Sequence, residues 1–203
     1  MHPNPIFRQI TNAENLAFVR DRSFRILSMN ADPVPLLAHI PFVLSPDESY
    51  LDFHLVRSNP IARAIGSDTQ AVLAVSGSDG YISPDWYGIP DQVPTWNYLS
   101  LELEGPVRTM EREGLIALID DVVAHNEAKL APKPEWHRDK MNGDMFEKML
   151  DSIVGFEMEI LAWRPTAKFS QNKPDAARKK AAEALDASGR RAVAHMMREF
   201  GGQ

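Results

Sequence analysis

Short runs in which apolar and polar residues alternate occupy much of the chain up to about residue 110. A period of two is typical of strands that bury one face, and the Asn, Asp, Pro and Ser residues between the runs favour turns. We therefore expect these runs to pair as a meander. The predicted strands cover residues 24–29, 36–44, 50–56, 70–75, 95–110 and 156–163.

Helices are predicted where a start signal precedes apolar residues at helical spacing. Thr11 and Glu14 have the spacing of a capping box, which indicates a helix to about residue 20. Asn59 followed by Pro60 predicts a short helix, because Asn caps the first turn and Pro fits there without an N–H. The other predicted helices cover residues 112–129, 145–153, 175–185 and 190–200, and the last two form a C-terminal helical hairpin.

Residues 77–94 are rich in glycine and proline and contain three aromatic residues. We expect a long ordered loop, because such connections without a period of their own are usually functional. Its flat rings suit stacking on a planar cofactor, with Ser83 and Asn97 bonding to heteroatoms; alternatively, the rings close the end of the sheet core. The aromatic residues in and after the loop are Tyr81, Trp86, Tyr87, Trp96 and Tyr98.

A candidate anion site lies where the third predicted strand meets the short helix. His54, Arg57 and the helix cap Asn59 follow one another there, and they supply donors for a phosphate. Alternatively, Arg57 is a solvated surface residue. His39 lies on a neighbouring predicted strand, and a pair of histidines without a carboxylate pattern is more often a packing feature than a metal site.

Composition and charge narrow the classes further. The absence of cysteine excludes thiol nucleophiles and iron–sulfur clusters. Residues 166–203 carry eight basic and four acidic residues, a net of +4, which leaves −10 for the rest of a chain of charge −6. This basic tail could contact DNA, or equally the acidic body of its own or a partner subunit. No apolar window is long enough to span a membrane, and we expect a cytoplasmic protein.

Six segments resemble, in order, the PaiB family of FMN-binding negative transcriptional regulators. The resemblance covers nearly the whole chain, and its two Trp- and Tyr-rich segments are the most specific. Three positions depart from the family pattern, namely Ala38 for Thr, Phe53 for Gly and Asp79 for His, and these changes predict weaker binding of a phosphate. The segments are LAHIPF (37–42), HLVRSNP (54–60), YISPDWY (81–87), VPTWNY (93–98), IVGFE (153–157) and KFSQNK (168–173).

The resemblance implies an α+β fold, an FMN-binding split β-barrel of about six antiparallel strands like that of pyridoxamine phosphate oxidase. It also implies a homodimer with FMN at the interface, and it adds Ser170 and Gln171 to the candidate cofactor residues. We expect a barrel domain over residues 1–165 and a basic helical appendage over residues 166–203, packed on the barrel or the partner.

Two other functions remain open. A flavin-dependent oxidoreductase would use His39 or Tyr87 to deliver a proton, whereas a haem- or porphyrin-handling split barrel would use His39 or His54 as an axial ligand. No substrate, regulated gene or effector follows from the sequence, and neither does catalysis.

Overall fold

The computed structural model describes residues 3–200. The start of the predicted barrel domain (residues 1 and 2) and the end of the predicted appendage (residues 201–203) lie outside the described residues. The strands are β1 (Phe24–Met29), β2 (Leu36–Leu44), β3 (Tyr50–Val56), β4 (Gln70–Ile82), β5 (Thr95–Thr109), β6 (Ile153–Glu159) and β7 (Ala162–Lys168). The helices are α1 (Asn12–Asp21), α2 (Pro60–Ala64), α3 (Arg112–Glu127), α4 (Gly143–Asp151), α5 (Asp175–Ala187) and α6 (Arg191–Glu199). Among the described residues no helix has the length and apolar character needed to cross a bilayer.

The strands form one antiparallel sheet in the order β4-β1-β2-β3-β6-β5-β7. Because β4 also pairs with β5, the order closes after six strands, and β7 is added next to β5. This arrangement confirms the predicted α+β split barrel with peripheral helices and a C-terminal hairpin.

The chain divides into two compact units. Unit 1 contains residues 1–18, 75–102 and 164–203, and unit 2 contains residues 19–74 and 103–163. The tail therefore shares unit 1 with the middle of the chain. The division into a barrel domain and a separate appendage stays a prediction.

Strand alternation builds the interior of unit 2. On β2, Ala38, Ile40 and Phe42 are buried, whereas Leu37 and His39 are exposed. Phe42 lies opposite Phe53 on β3, and Phe53 lies opposite Phe156 on β6. The two phenylalanine rings stack with their centroids 5.4 Å apart. A one-residue slip would turn these rings outward, so burial fixes the register.

Helices cover part of the outer face of unit 2. Leu115 and Leu118 of α3 and Leu150 of α4 form one apolar cluster with half-buried neighbours that include Val43. Gly155 of β6 allows this close packing, because a Cβ there would lie 3.2 Å from atoms of Leu115. The outward side of these strands is therefore partly occupied by helix.

The C-terminal hairpin supplies much of the core of unit 1. Leu185 of α5 and Val193 and Met197 of α6 are buried with Ile82 and Phe169. A Cβ on Gly80 would lie 3.3 Å from Leu185, so glycine lets the strand approach the hairpin. The tail is thus part of a folded core.

Three predicted boundaries were wrong. β4 continues through Gly77 and Gly80 to Ile82, because these glycines permit close packing against Leu99 and Leu185 rather than a turn. The ordered loop is therefore shorter than residues 77–94. The single strand predicted over 156–163 is two strands, β6 and β7, separated by residues 160 and 161.

Candidate functional site

In unit 2, His54 lies in β3, and Arg57 and Asn59 lie between β3 and α2. The Arg57 Nε donates a hydrogen bond to the carbonyl oxygen of Asp151 at 2.6 Å. The Asn59 side-chain oxygen accepts from the Ile61 N–H at 2.8 Å and caps the helix. The terminal nitrogens of Arg57 have no hydrogen-bond partner or ion pair among residues 3–200.

His54 lies on β3 opposite Gly155, and its side chain is half-buried. Its Nδ1 atom is buried and has no hydrogen-bond partner in the part of the chain that the structure describes. Burial lowers the pKa of the imidazole, which favours the neutral form. His54 therefore contributes hydrogen-bonding capacity rather than fixed positive charge.

His39 faces outward on β2, opposite Ile26 of β1. Its ring stacks on the exposed ring of Phe24, with centroids 6.2 Å apart. The two histidines thus have different neighbours, because His54 pairs with β6.

Two of the family departures point into the interior. Ala38 is buried, and Phe53 is fully buried against Phe156. The bulk of Phe53 therefore fills the core. Asp79 is exposed on β4 of unit 1.

In unit 1, Tyr81 of β4 and Trp96 of β5 form an exposed aromatic pair. Their rings meet edge to face with centroids 6.1 Å apart, and 47% and 52% of the two residues is exposed. Trp86 is half-buried and packs on the unit 1 core. Its backbone N–H donates a hydrogen bond to the carbonyl oxygen of Ser83 at 3.2 Å. Tyr81 and Trp96 are thus the rings with free surface.

Tyr87, Asn97 and Ser170 form a buried hydrogen-bond network. The Tyr87 hydroxyl lies 2.7 Å from the Ser170 hydroxyl oxygen, and the Asn97 amide nitrogen donates to that oxygen at 2.9 Å. Only 1% of Tyr87 is exposed, and burial raises the pKa of its phenol. The polar groups of these three side chains therefore bond to one another.

Gln171 fixes the same loop, which comprises residues 168–173. Its side-chain oxygen accepts from the Phe169 N–H at 2.7 Å, and its amide nitrogen donates to the Ala167 carbonyl at 2.5 Å. Ser170 has φ +62°, a left-handed conformation that non-glycine residues rarely adopt. The network holds this strained residue in place.

The lysines at both ends of the loop, Lys168 and Lys173, were missed among the site residues. Each donates to a neutral side-chain oxygen, of Thr95 and Gln92 respectively. In the KFSQNK segment they are only the first and last residues, and their hydrogen-bond partners lie more than seventy positions away.

The closed antiparallel order with outer helices places this protein in the split-barrel class of pyridoxamine phosphate oxidase-like folds. Residues 1–162 match the family model described as "Putative FMN-binding domain". The chain therefore belongs to this family, and the predicted PaiB-like relationship is confirmed.

Individual relatives agree with this assignment. The Bacillus subtilis "Protease synthase and sporulation protein PAI 2" is 29% identical over 178 residues, which cover 83% of this chain and 82% of the relative. The FAD and haem binding protein from Mycobacterium smegmatis superposes with a TM-score of 0.55 at 20% identity, over 86% of this chain and 78% of that one. The flavocytochrome Anf3 from Azotobacter vinelandii gives 0.54 at 15% identity, over 78% and 67%. The two structures support the fold alone.

Proposed function

We propose that this protein binds FMN as its cofactor. The observation that carries the proposal is the match of residues 1–162 to an FMN-binding family. In the proposed site Arg57 holds the phosphate, with His54 and Asn59 as further hydrogen-bond donors.

The donor chemistry of the β3–α2 junction fits a phosphate. Arg57 is anchored through Nε, so its free terminal nitrogens are oriented for two charge-assisted hydrogen bonds. The buried Nδ1 of His54 lacks a partner among the described residues, and as an N–H it would donate to a phosphate oxygen. The amide nitrogen of Asn59 is not needed for its capping bond, which uses the oxygen.

Tyr81 and Trp96 of unit 1, considered by themselves, leave aromatic surface exposed and stay candidates for stacking on a planar ring. FMN would supply hydride or electron transfer when bound. We assign Tyr87, Asn97, Ser170 and Gln171 a positioning role, because their polar groups bond within the 168–173 loop and its neighbours. Ser83 and Trp86 form the turn that carries Tyr87.

Arg57→Ala tests the phosphate contact. The substitution should weaken the affinity for FMN about tenfold or more and leave the affinity for riboflavin unchanged. Only FMN has a phosphate, and charge-assisted hydrogen bonds contribute roughly 1.5–3 kcal/mol. Titration followed by flavin fluorescence measures both affinities. Arg63→Ala is the matched control, since Arg63 is an exposed arginine on the adjacent α2.

Equal losses of FMN and riboflavin in Arg57→Ala would remove Arg57 from the phosphate site. Circular dichroism of the variant must match the wild type, because Arg57 also ties β3 to the end of α4. Restoring Phe53→Gly is a poor test, since it would leave a cavity beside Phe156.

Regulation of transcription, a homodimer and a cytoplasmic location are the finer parts of the proposal. The B. subtilis relative is named for protease synthesis and sporulation, which supports a regulatory role. In the hairpin, Lys180, Arg190 and Arg191 are exposed and form no ion pair with any residue in 3–200, whereas Lys179 and Arg198 pair with carboxylates. These three free cations are the proposed DNA contacts.

Two alternatives share the fold. A flavin-dependent oxidoreductase would use His39 for proton delivery, because Tyr87 is buried and bonded to Ser170. A haem-handling protein would use His39 or His54 as an axial ligand. Of the two similar structures, one is a FAD and haem binding protein and the other is a flavocytochrome. The absorption spectrum of the purified protein separates these functions, since flavin and haem bands differ.

A further inference from the structure

Lys168 and Lys173 carry positive charge without an acidic partner among the described residues of the chain. The Lys168 Nζ donates to the Thr95 hydroxyl at 2.6 Å and lies 5.8 Å from the centroid of the Phe7 ring. The Lys173 Nζ donates to the Gln92 side-chain oxygen at 2.5 Å and lies 5.5 Å from the centroid of the Tyr87 ring. Both ammonium groups are therefore held by neutral oxygens and aromatic faces.

Lys168 and Lys173 are half-buried and have no counter-charge among the described residues, unlike Lys179 and Arg198 of the hairpin. Lys179 pairs with Asp175 at 2.7 Å, and Arg198 pairs with Asp186 at 2.8 Å. An ammonium has three N–H donors, and each of the two lysines uses one for a described protein acceptor. Donors remain free on both.

The charge of Lys173 also acts on Lys168. Burial lowers the pKa of Lys168, and the nearby charge of Lys173 lowers it further. Partly buried like charges are unfavourable without an anion, and an anion between them would relieve both effects.

The 168–173 loop is built to hold the two lysines in place. Ser170 adopts φ +62° and bonds to Tyr87 and Asn97, and Gln171 closes the loop onto the backbone. Backbone strain of this kind persists where the surroundings fix it, and it is frequent at binding sites. Fixed donors need little ordering on binding, which favours affinity.

We propose that Lys168 and Lys173 form a binding site for the phosphate group of a small ligand. Two ammonium groups match the charge of a phosphate near neutral pH, and lysine binds phosphate as a point charge. The phosphate belongs either to a second, phosphorylated ligand or to FMN, and in the latter case the lysines would replace Arg57 as the contact of the FMN phosphate. The site goes beyond the proposed flavin contacts, which place the FMN phosphate at Arg57.

Calorimetric titration with inorganic phosphate at low salt tests the lysine pair without any flavin. Wild type should bind with saturable heat below about 10 mM. Lys168→Gln and Lys173→Gln should each weaken binding about tenfold or more, and Lys173→Arg should retain most of it because the charge stays. Lys179→Gln is the matched control, since it removes an exposed charge from the same unit and Lys179 is already paired with Asp175.

FMN and riboflavin titrations of the same variants identify the source of the phosphate. Loss of FMN but not riboflavin affinity assigns the site to the flavin, whereas unchanged FMN affinity together with lost phosphate binding assigns it to a second ligand. The proposal is overturned if the wild type binds neither phosphate nor FMN through these lysines, or if both glutamine variants match Lys179→Gln. Matching circular dichroism spectra exclude misfolding as the cause of a loss.

Discussion

At the residue scale, Asp52 is an unusual carboxylate on the outer face of β3. It lies directly opposite Glu157 of β6, and Arg108 donates its Nε hydrogen bond to Glu157 at 2.6 Å. One Asp52 oxygen is buried without a hydrogen-bond partner in residues 3–200. Burial, together with the charges of Glu157 and Asp121, raises the pKa of Asp52 to about 6, against a smaller opposing effect of Arg108.

Asp52→Asn should stabilise the protein at alkaline pH. Between pH 4 and 6 the folded state holds a proton that the unfolded state has released, so the wild type loses stability as pH rises through this range. We expect a gain of about 1–2 kcal/mol at pH 8, after allowance for the screening of a half-buried group, and almost none at pH 4. Urea unfolding at both pH values measures it, with the exposed Asp139→Asn as control. An equal gain at both pH values would show that charge is not the cause.

Local signals predicted single residues well where the partner is a few positions away. Thr11 and Glu14 form the expected reciprocal bonds, and Asn59 caps α2. Ser170 and Asn97 are more than seventy positions apart, and only the folded sheet brings them together. The roles of Lys168 and Lys173 depend on such distant partners as well, so their sequence pattern alone could not reveal them.

At the element scale, the hairpin of α5 and α6 is both core and surface. Leu185, Val193 and Met197 are buried, so removing the hairpin would expose the unit 1 core. Its helices were predictable because apolar residues recur at helical spacing. Its packing was not, because Gly80 suggested a turn in the sequence and instead accommodates Leu185.

Arg190→Gln combined with Arg191→Gln tests the hairpin as a DNA contact. Both residues are exposed, so the fold should persist while DNA affinity falls and the dependence of log K on log salt becomes shallower by about 0.9 per lost phosphate contact. Fluorescence anisotropy over a salt series measures both quantities. The control is Arg63→Gln combined with Lys148→Gln, which removes the same amount of positive charge from exposed positions of unit 2. Equal losses in the two double variants would indicate only an effect of net charge.

At the scale of the whole molecule, the antiparallel split barrel followed from the family resemblance, and the predicted meander holds for β1, β2 and β3. The two-unit division did not follow from the sequence. β4, β5 and β7 each contain residues of both units, so no break in the sequence marks the boundary. The apolar outer face of unit 2 could also be recognised only in the structure. Phe24 and Leu37 are 54% and 65% exposed, and His39 stacks on Phe24 beside them.

We expect this face to be covered by a second copy of the chain, because exposed apolar residues gathered on one sheet face mark an interaction surface. Light scattering at micromolar concentration should then give about twice the 22.8 kDa chain mass. Leu37→Glu should reduce it to the mass of one chain, since a two-fold interface places the new charge there twice. Leu161→Glu should leave the dimer intact, because Leu161 is 64% exposed but lies outside β1 and β2. If the flavin site includes partner residues, Leu37→Glu should also lose FMN, whereas a wild type that stays monomeric would exclude a site shared between copies.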